Sequence, residues 1–81
     1  MELVLERTPD DYRGNLDCLT LPNGCQTTLV ECREGQGDLY EVTDANGNVL
    51  GVLEEWFGSN GRGRLAAHFF TPAQGVEVTY R

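Results

Sequence analysis

The residues best suited to chemistry in this chain are three cysteines and one histidine. Cys18, Cys25 and Cys32 fall seven positions apart, and with His68 they could supply a Cys3His ligand set for zinc. Structural zinc sites usually take ligands two to four residues apart, so gaps of this length carry little specificity. If Cys25 and Cys32 share a strand, their odd separation also points them to opposite faces of the sheet. An odd number of cysteines without a secretion signal favours reduced thiols over disulfides. We therefore expect buried thiols, with no metal and no cofactor.

The other polar residues offer little for a catalytic site. The chain has no Lys, one Ser and no second His, so most nucleophilic and acid-base arrangements cannot be assembled. A Cys-His pair through His68 lacks any flanking motif that would favour a thiolate or an oxyanion hole. Asp10-Asp11 and Glu54-Glu55 are carboxylate pairs, but neighbours in an extended chain point apart, which is typical of a solvated surface. The sequence predicts a protein that is not an enzyme.

Residues 56–64 combine residue types that suit binding as well as a structural role, and we call this stretch the aromatic-arginine segment. It reads Trp-Phe-Gly-Ser-Asn-Gly-Arg-Gly-Arg. Glycine lets a partner approach the backbone, arginine binds carboxylate or phosphate, and exposed aromatics anchor protein interfaces or stack on single-stranded bases. The alternative is structural: Trp56 and Phe57 cannot both face the core, and the arginines would offset acidic charge elsewhere. The candidate binding residues are Trp56, Phe57, Asn60, Arg62 and Arg64.

The 81-residue chain carries a formal net charge of −7, and the charge is uneven. Residues 1–55 hold twelve of the thirteen acids with three arginines, a balance of −9, whereas residues 56–81 hold three arginines and one acid, a balance of +2. The overall charge disfavours non-specific nucleic-acid binding, which needs a positive surface. The acidic charge of residues 1–55 is also compatible with a protein that mimics nucleic acid.

Composition bounds the class of protein and its location. At 40% hydrophobic residues the chain is an ordinary globular domain, and no apolar run approaches the roughly 20 residues of a membrane-spanning helix. We see no secretion signal near Met1, so we expect a cytoplasmic protein. All six basic residues are arginine and isoleucine is absent, which is typical of GC-rich coding and favours a bacterial or phage source.

The elements that must position these residues are short strands. Asn-Gly dipeptides at residues 23–24, 46–47 and 60–61 suit tight turns, because Asn and Gly tolerate positive φ. We predict an all-β single domain over residues 1–81: a small antiparallel meander of six or seven short strands, as a twisted sheet or an SH3-like small barrel. Thr8-Pro9-Asp10-Asp11 predicts at most one short helical turn near residues 8–13.

Two strand assignments and one register follow from side-chain patterns. Asp44-Ala45-Asn46-Gly47 fits a type I turn with Gly47 left-handed, which pairs Val42 with Leu50 and Tyr40 with Val52 on one face. Trp56 would share that face and cap the core. Arg64 to Phe70 is ambiguous, and Phe69-Phe70-Thr71 favours a strand over a helix. The alternation from Val76 to Tyr80 is the cleanest strand pattern in the chain.

These observations predict a small non-catalytic module that binds another protein as a regulator, an inhibitor or a piece of an assembly. The aromatic-arginine segment and unpaired sheet edges are the expected contacts, and a homodimer through sheet edges is compatible with the fold. One alternative is a nucleic-acid-binding small barrel that uses residues 56–64. Another is an acidic inhibitor that mimics nucleic acid through residues 2–55.

Overall fold

The structure, a computed structural model, describes residues 1–9, 17–34, 37–59 and 64–81. Strands account for most of these residues, and no helix occurs among them, so the all-β prediction is confirmed. In chain order the strands are β1 (Glu2–Pro9), β2 (Asp17–Thr20), β3 (Gln26–Arg33), β4 (Gly37–Thr43), β5 (Val49–Ser59), β6 (Arg64–Pro72) and β7 (Glu77–Tyr80).

The seven strands divide into two sheets. The larger sheet has the order β3-β4-β5-β6, with each strand antiparallel to the next, and it is the predicted meander. The smaller sheet has the order β2-β1-β7. Here β1 pairs antiparallel with β2 but parallel with β7, so the fold departs from a purely antiparallel meander. A parallel pair needs a long connection between its strands, and the whole larger sheet supplies it.

The core lies between the two sheets. Both sheets contribute alternate side chains, as expected when each sheet buries one face against the other. The buried cluster contains Leu3, Leu5, Leu19, Val42, Leu50, Leu53 and Phe70. Leu5 and Val42 are completely buried. Strand β3 contributes no side chain to this cluster.

The hairpin between β4 and β5 has the predicted turn. The Gly47 N–H donates to the Asp44 carbonyl at 3.0 Å, and Gly47 has φ +86, as a type I turn with a left-handed glycine requires. The Asp44 carboxylate accepts from the Asn46 and Asn48 N–H groups, each at 2.9 Å, and from the Asn48 side-chain amide at 3.0 Å. These bonds to the ionised form lower the pKa of Asp44, led by the bond from the Asn48 side chain.

The predicted register beyond this turn is wrong by one residue. Thr43 pairs with Val49 as expected, but a bulge then places Val42 opposite Gly51 and Tyr40 opposite Leu53. The bulge inserts Leu50 as an extra residue, so Leu50 and Leu53 are both buried whereas Val52 is 39% exposed. A simple alternation cannot predict this because the extra residue inverts the faces after it.

Two predicted strands are confirmed, and the start of the predicted helical turn is wrong. Residues 64–70 are a strand, as predicted, and β7 matches the alternating pattern from Val76 to Tyr80. Thr8 and Pro9 extend β1 instead of opening a helical turn, because they pair with Cys18 and Asp17 of β2. The rest of that predicted turn, residues 10–13, lies outside the described residues.

The sequence Leu21-Pro22-Asn23-Gly24 predicts a type I turn with proline second and glycine fourth, but the observed turn starts one residue later. The Cys25 N–H donates to the Pro22 carbonyl at 3.3 Å, which puts Gly24 at the third position of the turn. Gly24 has φ +90 there, the conformation that a type II turn requires of its third residue. Proline therefore opens the turn instead of occupying its second position.

In the described part of the chain, no helix has the length and apolar character needed to cross a membrane.

Candidate functional site

The aromatic-arginine segment forms the distal part of the β5–β6 hairpin. Trp56, Phe57 and Ser59 lie at the end of β5, and Arg64 begins β6 opposite Ser59. Phe57 pairs with Ala66 in the backbone register. Asn60 and Arg62 lie outside the described residues, so the five-residue binding site stays a prediction.

Trp56 does not cap the core, contrary to the sequence prediction. The β5–β6 register runs without interruption from Gly51 to Ser59, so Trp56 shares a face with Val52 and Glu54, opposite to the buried Leu53. Trp56 is half-buried and pairs with Ala67, and it is outside the core cluster. The same bulge that turns Val52 outward places Trp56 on the outer face of the larger sheet.

His68 joins the two sheets on the inner face. The Leu19 N–H of β2 donates to His68 Nδ1 at 2.9 Å, and His68 Nε2 lies 3.1 Å from Glu55 Oε2 on the neighbouring strand β5. The Leu19 carbonyl also lies 3.3 Å from Nδ1, so His68 contacts both backbone polar groups of Leu19 and the Glu55 carboxylate. Both ring nitrogens are thus engaged by the fold. The sequence gives no sign of this link, because Leu19 lies 49 positions away and contributes only its backbone.

A row of titratable side chains continues from Glu55 across the inner face. The register places Asp38 opposite Glu55, Cys32 opposite Asp38, and Tyr40 two residues along from Asp38. The Tyr40 hydroxyl donates to Asp38 Oδ2 at 3.4 Å. Sequence reasoning missed this row, because it depends on the pairing of three strands.

The electrostatics of this row keep its nucleophiles protonated. A hydrogen bond to Asp38, together with its negative charge, raises the pKa of the Cys32 thiol, although Cys32 is exposed instead of buried as predicted. Desolvation, followed by the charges of Glu55 and Asp38, raises the pKa of the Tyr40 hydroxyl. Reactive thiols need the opposite shift, toward the thiolate. The arrangement therefore disfavours nucleophilic catalysis at Cys32.

The cysteines themselves do not converge. All three lie in the described part of the chain, and none forms a disulfide. Cys18 and Cys25 are half-buried, and burial raises the pKa of the Cys25 thiol. Within residues 1–9, 17–34, 37–59 and 64–81, no group of three or more His, Cys, Asp or Glu side chains is placed to hold a metal ion.

Strand β3 is the most exposed strand for which every side chain is described. Seven of its eight residues are exposed, including Leu29 at 53% and Val30 at 63%. It pairs with β4 on one side, and a bulge interrupts that pairing between Leu29 and Glu31. Among the described residues no strand lies on its other side. Exposed apolar side chains at an unpaired sheet edge are typical of a contact surface for another chain.

The outer face of the larger sheet carries a second apolar area. Phe69 is 56% exposed and Val52 39% exposed, and they lie on adjacent strands of the same face. Glu54 pairs with Phe69 in the register and forms an ion pair with Arg33 of β3 at 3.2 Å. This area therefore combines apolar side chains with a carboxylate whose charge is already partly compensated.

The described residues of the smaller sheet and the turn after β2 form a groove. It has a volume of about 310 Å³ and is partly open to solvent. Val4, Glu6, Leu21 and Arg81 contribute to its walls. Its polar lining residues are Glu6, Thr20, Asn23 and Arg81.

Comparison with known proteins does not assign the chain to a family. A scan against protein-family models, a search of curated proteins and a search of solved structures each found no match. Function must be argued from the geometry of the surfaces described above.

Proposed function

We propose that this protein is a small non-catalytic module that binds another protein, as a regulator, an inhibitor or a component of an assembly. The observation that carries the proposal is the exposure of β3: Leu29 and Val30 present apolar surface beside a sheet edge without a strand partner in the described part of the chain. A strand in this position offers both backbone hydrogen-bonding groups and apolar contact area to a partner.

The titratable side chains support the non-catalytic part of the proposal. His68 is held at both ring nitrogens by Leu19 and Glu55, and Asp38 keeps the Cys32 thiol protonated. A general base or a nucleophile needs a free lone pair at the pH of the reaction. These contacts support a structural role for His68 and Cys32. A cytoplasmic location and a bacterial or phage source belong to the same proposal.

The nucleic-acid alternative depends on the aromatic-arginine segment. Its arginines would have to face the same partner as Trp56, which lies beside Glu54 on the outer face. A net charge of −7 opposes phosphate binding over most of the surface. Fluorescence anisotropy of labelled single-stranded DNA and RNA at low salt tests this alternative directly, and saturable binding would favour it over the protein-binding proposal.

Affinity capture with matched variants tests the protein-binding proposal. The wild-type chain is immobilised and exposed to an extract of its native host, and bound proteins are quantified by mass spectrometry. We expect one stoichiometric partner that is lost with Leu29→Asp and retained with Glu77→Gln, a control on the exposed surface of β7. A second variant, with Phe57, Arg62 and Arg64 all changed to Ala, tests the aromatic-arginine segment in the same experiment.

Two outcomes would contradict the proposal. One is the absence of any stoichiometric partner from several growth conditions. The other is a partner captured equally by wild type, by Leu29→Asp and by the triple alanine variant, since neither predicted contact surface would then be involved. Loss with the triple variant alone would move the contact from β3 to residues 56–64.

A further inference from the structure

The edge of β3 is divided by its bulge into two unequal parts. Before the bulge, Gln26 to Leu29 form an uninterrupted run paired with Thr43 to Tyr40 of β4. After it, pairing resumes at Glu31 with a shifted register. A bulge protects an edge locally, because it disturbs the spacing of the outward N–H and C=O groups. The run Gln26–Leu29 is therefore the part of the edge with the spacing of a regular strand.

The two faces beside this edge differ in chemistry. Leu29 pairs with Tyr40, which places both on the inner face, where the smaller sheet does not cover β3. Glu31 pairs with Leu39, and Thr28 with Glu41, which places these residues on the outer face. Beside Gln26–Leu29, an added strand would meet Leu29 on the inner face, and on the outer face Thr28 with Glu41 behind it. Asp38 also lies on the inner face, but farther along, opposite Cys32 beyond the bulge. The matching sequence alternates apolar and basic residues.

The negative charge around the edge of β3 favours a positively charged partner. Residues 26–55 contain seven acids and a single base, Arg33. Arg33 already forms an ion pair with Glu54 at 3.2 Å. A second copy of this chain would bring two such acidic regions together, and like charges oppose that association. A basic segment would instead gain attraction from Glu31, Glu34 and Glu41.

We propose that the edge of β3 at Gln26–Leu29 binds an extended basic segment of another protein by strand addition, with its apolar side chains over Leu29 and its basic side chains beside Glu31. This inference rests on the proposed function, because it names the mode and the partner class of the same surface. The backbone supplies the hydrogen bonds, and the two faces supply the specificity.

Binding of a defined peptide to the full chain tests the inference. The probe is an acetylated, amidated peptide about eight residues long that alternates valine and arginine, and amide chemical shifts of the isotope-labelled protein report binding. We expect saturable shifts centred on Gln26 to Leu29, and an affinity that weakens as salt rises from about 50 to about 300 mM. A valine–glutamate peptide of the same length is the charge control.

Three comparisons separate strand addition from simple charge attraction. An analogue N-methylated at alternate residues cannot form one side of the backbone ladder, and we expect it to lose binding about tenfold or more. Leu29→Ser should weaken binding of the parent peptide by a similar factor, because it removes the apolar contact without changing the charge. Glu31→Gln should weaken it about two- to fivefold, and Glu77→Gln should leave it unchanged. Dispersed amide spectra of each variant establish that it is folded.

Several results would overturn the inference. These are no saturable shifts at millimolar peptide, shifts located away from β3, or equal binding of the N-methylated analogue. Concentration-dependent shifts of Gln26 to Leu29 in the protein alone, with a doubled scattering mass, would assign the edge to a second copy instead. If the peptide fails while Leu29→Asp still loses the captured partner, the inference falls and the proposed function stands; if both tests fail, the function falls as well.

Discussion

Strands β1 and β3 have the same length but opposite environments. β1 lies in the middle of the smaller sheet, between β2 and β7, and its Leu3 and Leu5 are 4% and 0% exposed. β3 lies at the edge of the larger sheet, and its Leu29 and Val30 are 53% and 63% exposed. Both strands carry leucine and valine, so composition does not separate them. Burial is decided by what lies on each side of a strand, which is why β1 belongs to the core and β3 to the candidate contact surface.

The largest effect should come from truncating a side chain in β1. Leu5→Ala removes apolar atoms from a fully buried site and should lower the free energy of unfolding by about 2 to 5 kcal/mol. Leu29→Ala, the matched change in β3, should lower it by about 1 kcal/mol or less, because that side chain remains largely in water. Urea denaturation measures both. Equal losses in the free energy of unfolding would mean that Leu29 is buried in the folded protein in solution, which would contradict the exposure of β3.

Glycines extend the comparison from side chains to the backbone. Gly51 is buried at the bulge, and a Cβ there would overlap the Thr71 carbonyl and lie 2.6 Å from the Phe70 ring. Gly51→Ala should therefore lower the free energy of unfolding by about 2 to 3 kcal/mol. At Gly47 a Cβ would meet nothing within 4 Å, so Gly47→Ala should cost about 1 kcal/mol, from its positive φ alone. Thermal and urea unfolding of both variants provide the test. A larger loss of stability for Gly47→Ala than for Gly51→Ala would mean that the bulge is not at Gly51.

Residues 68 and 69 make a comparison across one strand. His68→Ala leaves the Leu19 N–H without its acceptor and should lower the free energy of unfolding by about 1 to 3 kcal/mol. Phe69→Ala, one residue along on the exposed face, should change it by about 1 kcal/mol or less. Amide hydrogen exchange gives the specific readout: Leu19 should lose protection in His68→Ala and keep it in Phe69→Ala. Unchanged protection of Leu19 in both variants would mean that His68 does not join the sheets.

The smallest effect should be a pH dependence at the exposed hairpin. Hydrogen bonds hold the pKa of Asp44 below its usual range in the folded state, so its contribution is complete above the unfolded value of about 3.9. That contribution is lost as the pH falls through the lower, folded value. Asp44→Asn should therefore flatten the fall in stability below about pH 4, whereas Glu77→Gln removes the same charge without these turn contacts. Denaturation between about pH 2 and pH 6 measures the slopes, and identical slopes for both variants would contradict the assignment.

The sequence predicts features that depend on neighbouring residues and misses those that depend on distant ones. The type I turn at Asp44–Gly47, the strand at residues 64–70 and the alternation in β7 are all encoded within a few positions. The extra residue at Leu50 is not, because its place is set by burial of Leu50 and Leu53 against the other sheet. The parallel pairing of β1 with β7 likewise has no local signal.

The same distinction applies to the candidate site. The residue types at Trp56, Phe57, Asn60, Arg62 and Arg64 are visible in the sequence, because aromatics and arginines near glycine suit binding. Contacts at sheet edges are also predicted from the sequence, but the strand that forms the edge is not. Strand β3 has no unusual residue, and its exposure follows only from the strand order. Its one sequence signal is the adjacent pair Leu29-Val30, which breaks the alternation of a half-buried strand.

The parallel pairing of β1 with β7 has a consequence for how the chain folds. Leu3 reaches Val78 across 75 positions, whereas every pairing within the larger sheet joins strands that are consecutive in the chain. Closing a long loop costs more entropy than forming a hairpin, so local contacts form at lower cost early in folding. We expect the larger sheet to be assembled first, with the β1–β7 pair forming last. The strand that holds the most deeply buried leucine can pair with β2 early, but its other edge must wait until β7 has been synthesised.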